Sequence, residues 1–337
     1  MAKIGILTFH ASHNFGSMLQ AFALQQTLRK MGHETQIINF RSRAQREQCC
    51  GVYHKPIDGP RGLLRHITML PFKKDLIGKY NKFEAFIQKE LSCTPVYTTE
   101  EEVLENATDF DYYLCGSDQI WNSTARDFSW LYFLPFNRGK KIAYAPSAGD
   151  DVWLPQDKEK MLRLLSGFTA LSVREQKLAD TLNPLLSAKP LVTLDPTLLL
   201  PAEEWVKHID KKPVVAGDYL FVYAPYRMPA LLQTIPAENK MPLVMASPFD
   251  LLALYSKHYI KRLNTGPWEF LNLIYYSKGV VSGSFHAAVF AKTFNKPLYC
   301  MDMGAGSRIA NLEKKFKHLP EERSKSMQFL REALDAR

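Results

Sequence analysis

The stretch VVSGSFHAAVF, residues 280–290, puts a histidine where a strand gives way to a helix. Two β-branched residues run into Ser282-Gly283-Ser284. His286 then falls in the expected first helical turn, with Ser284 as the expected N-cap. The unpaired amides of such a turn, together with the helix dipole, favour an anion. An imidazole there can hydrogen-bond a phosphate or give a proton to a substrate. A core histidine beside a tight turn reads the same way, so the residues alone leave both options open.

Four more stretches carry chemically able side chains. Arg174 stands in LSVREQ, between a strand and a helix, where it can bind a carboxylate or phosphate with two parallel bonds or pair with Glu175. CGSDQIWN puts Asp118 and Asn122 on a loop after a strand. Asp118 is a base toward a hydroxyl or a cap of its own turn. TFHASHNFGS offers Asn14 and Ser17 to a sugar or phosphate beside a helix start. His10 and His13 in that loop lie three apart with no third ligand, so no metal is assigned. GAGSRIANL gives Arg308, one β unit after His286 and on the same edge, as an anion clamp or a surface cation.

These residues need a scaffold that brings strand ends together. KIGILTF (3–9) reads as a buried strand, and Met18, Ala21, Leu24, Leu28 and Met31 recur at helical spacing from Ser17 onward. Gly32 stops that helix, and ETQIINF (34–40) is the next strand. DYYLC, KKIAYA, ALSV and PLVTL repeat the logic, and Asp195 precedes a proline, which keeps it out of helix. A polar stretch at 201–218 separates this set from YLFVYAP, PLVMAS, KGVVSGS and KPLYCMD. The reading is α/β: two doubly wound Rossmann-like domains facing a cleft. Residues 1–205 form the first, on the acceptor side, with a helical excursion near 41–105. Residues 206–337 form the second, on the donor side, with a terminal helix. Ligands of such sheets gather at the carboxyl ends of strands.

The bulk numbers narrow the chemistry further. The chain has 337 residues and a formal net charge of +9, which favours anionic partners. RSRAQR (41–46) is the densest basic run, and no nucleic-acid motif accompanies it, so nucleic acid is not expected. Five cysteines with no CxxC spacing fit a reduced, cytoplasmic setting. No apolar run is long enough to span a bilayer, and the start lacks a signal-peptide pattern. Contact with the inner face of a membrane stays open through the basic 41–75 region.

In order along the chain, GILTFHASHNFGSMLQAFAL, CGSDQIWN, YAPSAG, LSVRE, LDPTLLL and SGSFHAAVFAKTFNKPL resemble the polysaccharide pyruvyl transferase family. The resemblance covers most of the chain outside 41–105. It implies a glycosyltransferase-B-like fold and transfer of the pyruvyl skeleton of phosphoenolpyruvate onto two hydroxyls of a sugar, without a cofactor. The acceptor is then a sugar or lipid-linked oligosaccharide of a surface or exopolysaccharide. It implies that Arg174 and His286 bind phosphoenolpyruvate, with His286 the candidate acid and Asp118 the candidate base. Some members carry a basic residue where this chain has Ser284, and a lysine near GAGSR whose role falls here to Arg308. Arg308, Ser284, Asn14, Ser17 and Asn122 are the residues expected to bind substrate, the asparagines by contacting sugar. Two rival readings are a glycosyltransferase using a nucleotide sugar and a non-catalytic sugar-binding or partner subunit.

Overall fold

The computed structural model describes the chain apart from residues 50–52, 54–56, 58, 108, 150–154, 188, 224–227, 248–250, 301–307 and 336–337. It divides into two compact units. The first holds Met1–Cys49, Ile87–Leu200 and His318–Arg337, and the second Cys50–Phe86 and Pro201–Lys317.

The first unit is built on a six-stranded parallel sheet. Its strands are β1 (Lys3–Leu7), β2 (Glu34–Ile37), β3 (Tyr112–Cys115), β4 (Lys140–Ala143), β5 (Ala170–Val173) and β6 (Leu191–Val192). Their order is β2-β1-β3-β4-β5-β6. The apolar runs are what a sheet covered on both faces demands: all four residues of β3 are buried. The helix Phe15–Lys30 opens on Asn14, whose side-chain oxygen accepts from the Gly16 and Ser17 amides (2.9 and 3.4 Å). It closes as expected on Gly32, at φ +88°, with Gly32 N–H donating to Arg29 O and His33 N–H to Leu28 O. An aromatic core of Trp121, Tyr132, Phe133 and Tyr113 fills one face of the sheet.

The second unit carries a five-stranded parallel sheet. Its strands are β7 (Leu220–Tyr223), β8 (Leu243–Met245), β9 (Tyr259–Lys261), β10 (Gly279–Ser282) and β11 (Leu298–Tyr299). Their order is β11-β10-β7-β8-β9. The expected strand–turn–helix around His286 is there: β10, then a helix Phe285–Thr293, left at Asn295 with φ +53°.

Two segments sit elsewhere than the chain order suggests. Part of the excursion expected on the first domain, residues 50–86, packs with the second unit. Lys79 Nζ donates to Ser247 Oγ (2.7 Å), Lys82 pairs with Glu269 (2.6 Å), and the Phe86 ring lies 5.0 Å from that of Trp268. The terminal helix Leu319–Asp335 packs with the first unit. Its Ser326 Oγ accepts from Leu194 N–H (2.9 Å), and its Leu334 carbonyl accepts from Tyr112 Oη (2.6 Å). Apolar periodicity marks both segments as helices but does not say which sheet they cover.

Candidate functional site

Each sheet reverses its strand order once, and at such a point the loops leaving two neighbouring strands diverge and leave room for a ligand. In the first unit the reversal lies between β1 and β3. Gly116, directly after β3, lets the two chains close there. A Cβ on it would come within 2.9 Å of the Thr8 Cβ. Thr8 Oγ1 then donates to the Ser117 carbonyl (2.9 Å).

This closure delivers Ser17 and Asp118 to each other. Ser17 Oγ donates to Asp118 Oδ2 at 2.5 Å, a short bond to a buried carboxylate. Asp118 holds φ +76°, a left-handed conformation that aspartate tolerates but rarely adopts. The turn fixes it there. Gln119 N–H donates to Asp118 Oδ1 (2.8 Å), and Ser147 N–H to its carbonyl (2.8 Å). Asp118 is thus both turn cap and a carboxylate at the reversal point.

Arg174 follows β5 on the same edge and is 3% exposed. Nε donates to Glu175 Oε1 (2.8 Å) and Nη1 to Asp195 Oδ2 (3.0 Å). Burial would lower its pKa. The charges of Glu175, Asp195 and Asp118 outweigh that and hold the guanidinium protonated above its usual range. Of the two alternatives the sequence leaves open for Arg174, the pairing with Glu175 is present, and Asp195 adds to it. Asp195 is fully engaged, accepting also from Ser117 Oγ (3.0 Å), Thr197 N–H (3.0 Å) and Thr197 Oγ1 (2.7 Å). Glu175 Oε2 has no hydrogen-bond partner among the described residues.

Of the other first-unit candidates, Asn14 caps its helix. Asn122 organises its own loop: Oδ1 accepts from Thr124 N–H (3.0 Å) and Nδ2 donates to Gln119 Oε1 (3.1 Å). His10 is buried between Thr8 O and Asn39 Oδ1, at 3.1 and 2.9 Å. Among the described residues no group of three His, Cys, Asp or Glu is placed to hold a metal. Burial pushes the Cys93 thiol up to about 11 and Cys115 up as well, so neither is a ready thiolate.

In the second unit the reversal lies between β7 and β10. Ser282, at the end of β10, donates to the Tyr223 carbonyl at the end of β7 and accepts from Ser284 N–H (3.0 Å). Ser284 stands at the N-cap position, but its hydroxyl makes no capping bond; the turn is secured by Ser282. His286 follows in the first turn of the helix and is 8% exposed. Arg308 opens the helix Arg308–Lys317, while residues 304–307 before it lie outside the described residues.

Two participants escape a reading of the sequence. Asp195 stands out there only as a residue before proline, because nothing local links it to an arginine 21 positions earlier. Lys79 lies within the excursion, where no motif singles it out. It reaches Ser247, just beyond β8, and burial pushes its ammonium down to about 8.

Residues 14–304 match the family model described as polysaccharide pyruvyl transferase. None of the curated proteins compared with the chain matches it. Among solved structures, the UDP-N-acetylglucosamine 2-epimerase of Neisseria meningitidis bound to UDP-N-acetylglucosamine superposes with a TM-score of 0.51. It is 12% identical, over 99% of each chain. A Listeria monocytogenes protein assigned as a UDP-N-acetylglucosamine 2-epimerase gives 0.50 at 10% identity, over 97% of this chain and 91% of that one. These likenesses show the fold alone: α/β with two Rossmann-like sheets, of the glycosyltransferase-B kind.

Proposed function

The chain belongs to the polysaccharide pyruvyl transferase family. On that premise we propose that it moves the pyruvyl skeleton of phosphoenolpyruvate onto two hydroxyls of a sugar. The carrying observation is that the family match runs through both strand-order reversals, from Asn14 past His286. In the proposed reaction a proton adds to the methylene carbon, and C2 gains oxocarbenium character. One sugar hydroxyl attacks C2, phosphate leaves, and a second hydroxyl closes the ketal. Two hydroxyl protons and one enol ester are consumed; one ketal and one inorganic phosphate result.

His286 suits acid catalysis and anion binding, because an imidazole at a helix N-terminus meets a phosphate or carboxylate with the dipole in its favour. Asp118 suits the base. It is a carboxylate already accepting a hydroxyl proton, from Ser17 Oγ, and a sugar hydroxyl replacing that donor would be met in the same way. Arg174 is bonded to two carboxylates, Glu175 and Asp195, and a substrate anion would meet the guanidinium most directly by taking the place of one of them. Glu175, with one oxygen unengaged among the described residues, is the one that can leave at least cost.

The test is phosphate release from phosphoenolpyruvate across a panel of hexosides, with the product read by proton NMR for a ketal methyl group. Phosphate in equal amount to the ketal supports the proposal. Turnover of a nucleotide sugar on the same panel, without ketal, would replace it by glycosyl transfer.

A further inference from the structure

The helix Gly59–Met69 is turned against the usual rule for a surface helix. None of its side chains is buried, although it is strongly amphipathic. Leu63, Leu64 and Ile67, with Leu70 just beyond, are 47, 62, 58 and 59% exposed. At helical spacing these four fall on one arc about 120° wide. Gly62, His66 and Met69 fall away from that arc, and theirs is the side that is held. Met69 and Phe72 pack on Met245, Leu254 and Leu263. Tyr53 Oη donates to the His66 carbonyl (3.0 Å), and Tyr255 Oη donates to the Thr68 carbonyl. The anchoring is made with backbone carbonyls, Met69 and the His66 ring edge-on to Tyr53, and the leucines face away from it.

Charge completes the pattern. Arg61 and Arg65 lie on the exposed flank next to Leu64, and Lys73 and Lys74 follow the helix, so that four cations stand against the two carboxylates of the stretch, Asp58 and Asp75. Leucines and isoleucine framed by cations are what an anionic bilayer surface recognises. The apolar chains enter the headgroup boundary, and the cations meet lipid phosphates. A second copy packed antiparallel on this face would set Arg61 and Arg65 against their own equivalents, which disfavours that pairing.

We propose that the Gly59–Met69 helix seats this protein on an anionic membrane surface, through Leu63, Leu64, Ile67 and Leu70 with Arg61 and Arg65 at the rim. This deepens the transferase reading by naming where a lipid-linked acceptor would be met, and it rests on that reading only for its purpose. Full-length protein would be floated with vesicles of phosphatidylcholine alone and of phosphatidylcholine mixed equally with phosphatidylglycerol. The expected result is flotation with the anionic vesicles alone, lowered about tenfold or more in a Leu64→Ser/Ile67→Ser variant. Arg61→Gln/Arg65→Gln should weaken it and make it less sensitive to added salt. Circular dichroism and melting of each variant establish that the fold is kept. Absence of flotation, or equal flotation of wild type and the Leu64→Ser/Ile67→Ser variant, overturns the proposal. So does a wild-type dimer in sedimentation that becomes monomeric in that variant, which would make this face a contact between copies. The assay reads lipid and not donor, so its failure leaves the transferase reading untouched.

Discussion

The two carboxyl edges share a geometry and differ in how they use it. At both, the strand order reverses between two neighbouring strands and a serine or threonine hydroxyl ties the two ends together, Thr8 to Ser117 and Ser282 to Tyr223. Beyond that the first edge is a filled ion network: one buried guanidinium, three carboxylates and the hydroxyls of Ser17, Ser117 and Thr197. The second edge places one imidazole at a helix start and commits its serine hydrogen bonds to the turn. A site built from mutually compensating charges is costly to break anywhere. A site built from one group on a rigid turn can lose that group and keep its shape.

The largest effect should follow Arg174→Ala. It leaves Asp195 and Glu175 without their shared cation, and breaking a buried pair from one side costs about 3–5 kcal/mol. Urea unfolding of this variant beside Arg174→Lys measures the loss. A cost below about 1 kcal/mol would mean that the network is not the first edge's scaffold.

Lys79 comes next, through pH. Its folded pKa, about 8, lies below the unfolded 10.5, so between those values the unfolded chain holds the extra proton and stability rises with pH. Below about 8 both states are charged and the burial cost is present in full. The rise should reach up to about 3 kcal/mol across the window. Lys79→Met should remove it, as melting temperature against pH would record.

Ser17→Ala probes the Asp118 contact. A hydrogen bond to a charged group contributes about 1.5–3 kcal/mol, and solvent at the edge recovers part of it, so a loss of about 1–2 kcal/mol in chemical denaturation is expected. The smallest change in stability belongs to His286→Ala, below about 1 kcal/mol, while turnover falls by about 10²-fold or more. That divergence between the edges, stability at the first and turnover at the second, is the comparison in its sharpest form.

Much of this is legible in the residues. Buried β-branched runs ending in small-residue loops announce parallel strands, and the Gly32 stop and the Phe285–Thr293 helix lie where the pattern puts them. Strand order is not legible, and it is strand order that brings Ser17 to Asp118 across 101 positions. Asp195 is hidden for the same reason. Asn14 and Asn122 read as sugar contacts because their types suit it; both have side-chain groups tied to their own backbone or loop. The reversed polarity of Gly59–Met69 is invisible in the sequence, since periodicity gives an apolar stripe and not the direction it faces.

The most direct test of the account is calorimetric titration of the full-length protein with phosphoenolpyruvate, with UDP-N-acetylglucosamine as control, in wild type, His286→Ala and Glu175→Gln. Saturable binding of phosphoenolpyruvate is expected, weakened about tenfold or more by His286→Ala, strengthened by Glu175→Gln and not shared by the nucleotide sugar. Binding of the nucleotide sugar without phosphoenolpyruvate, or phosphoenolpyruvate binding indifferent to His286, would contradict it.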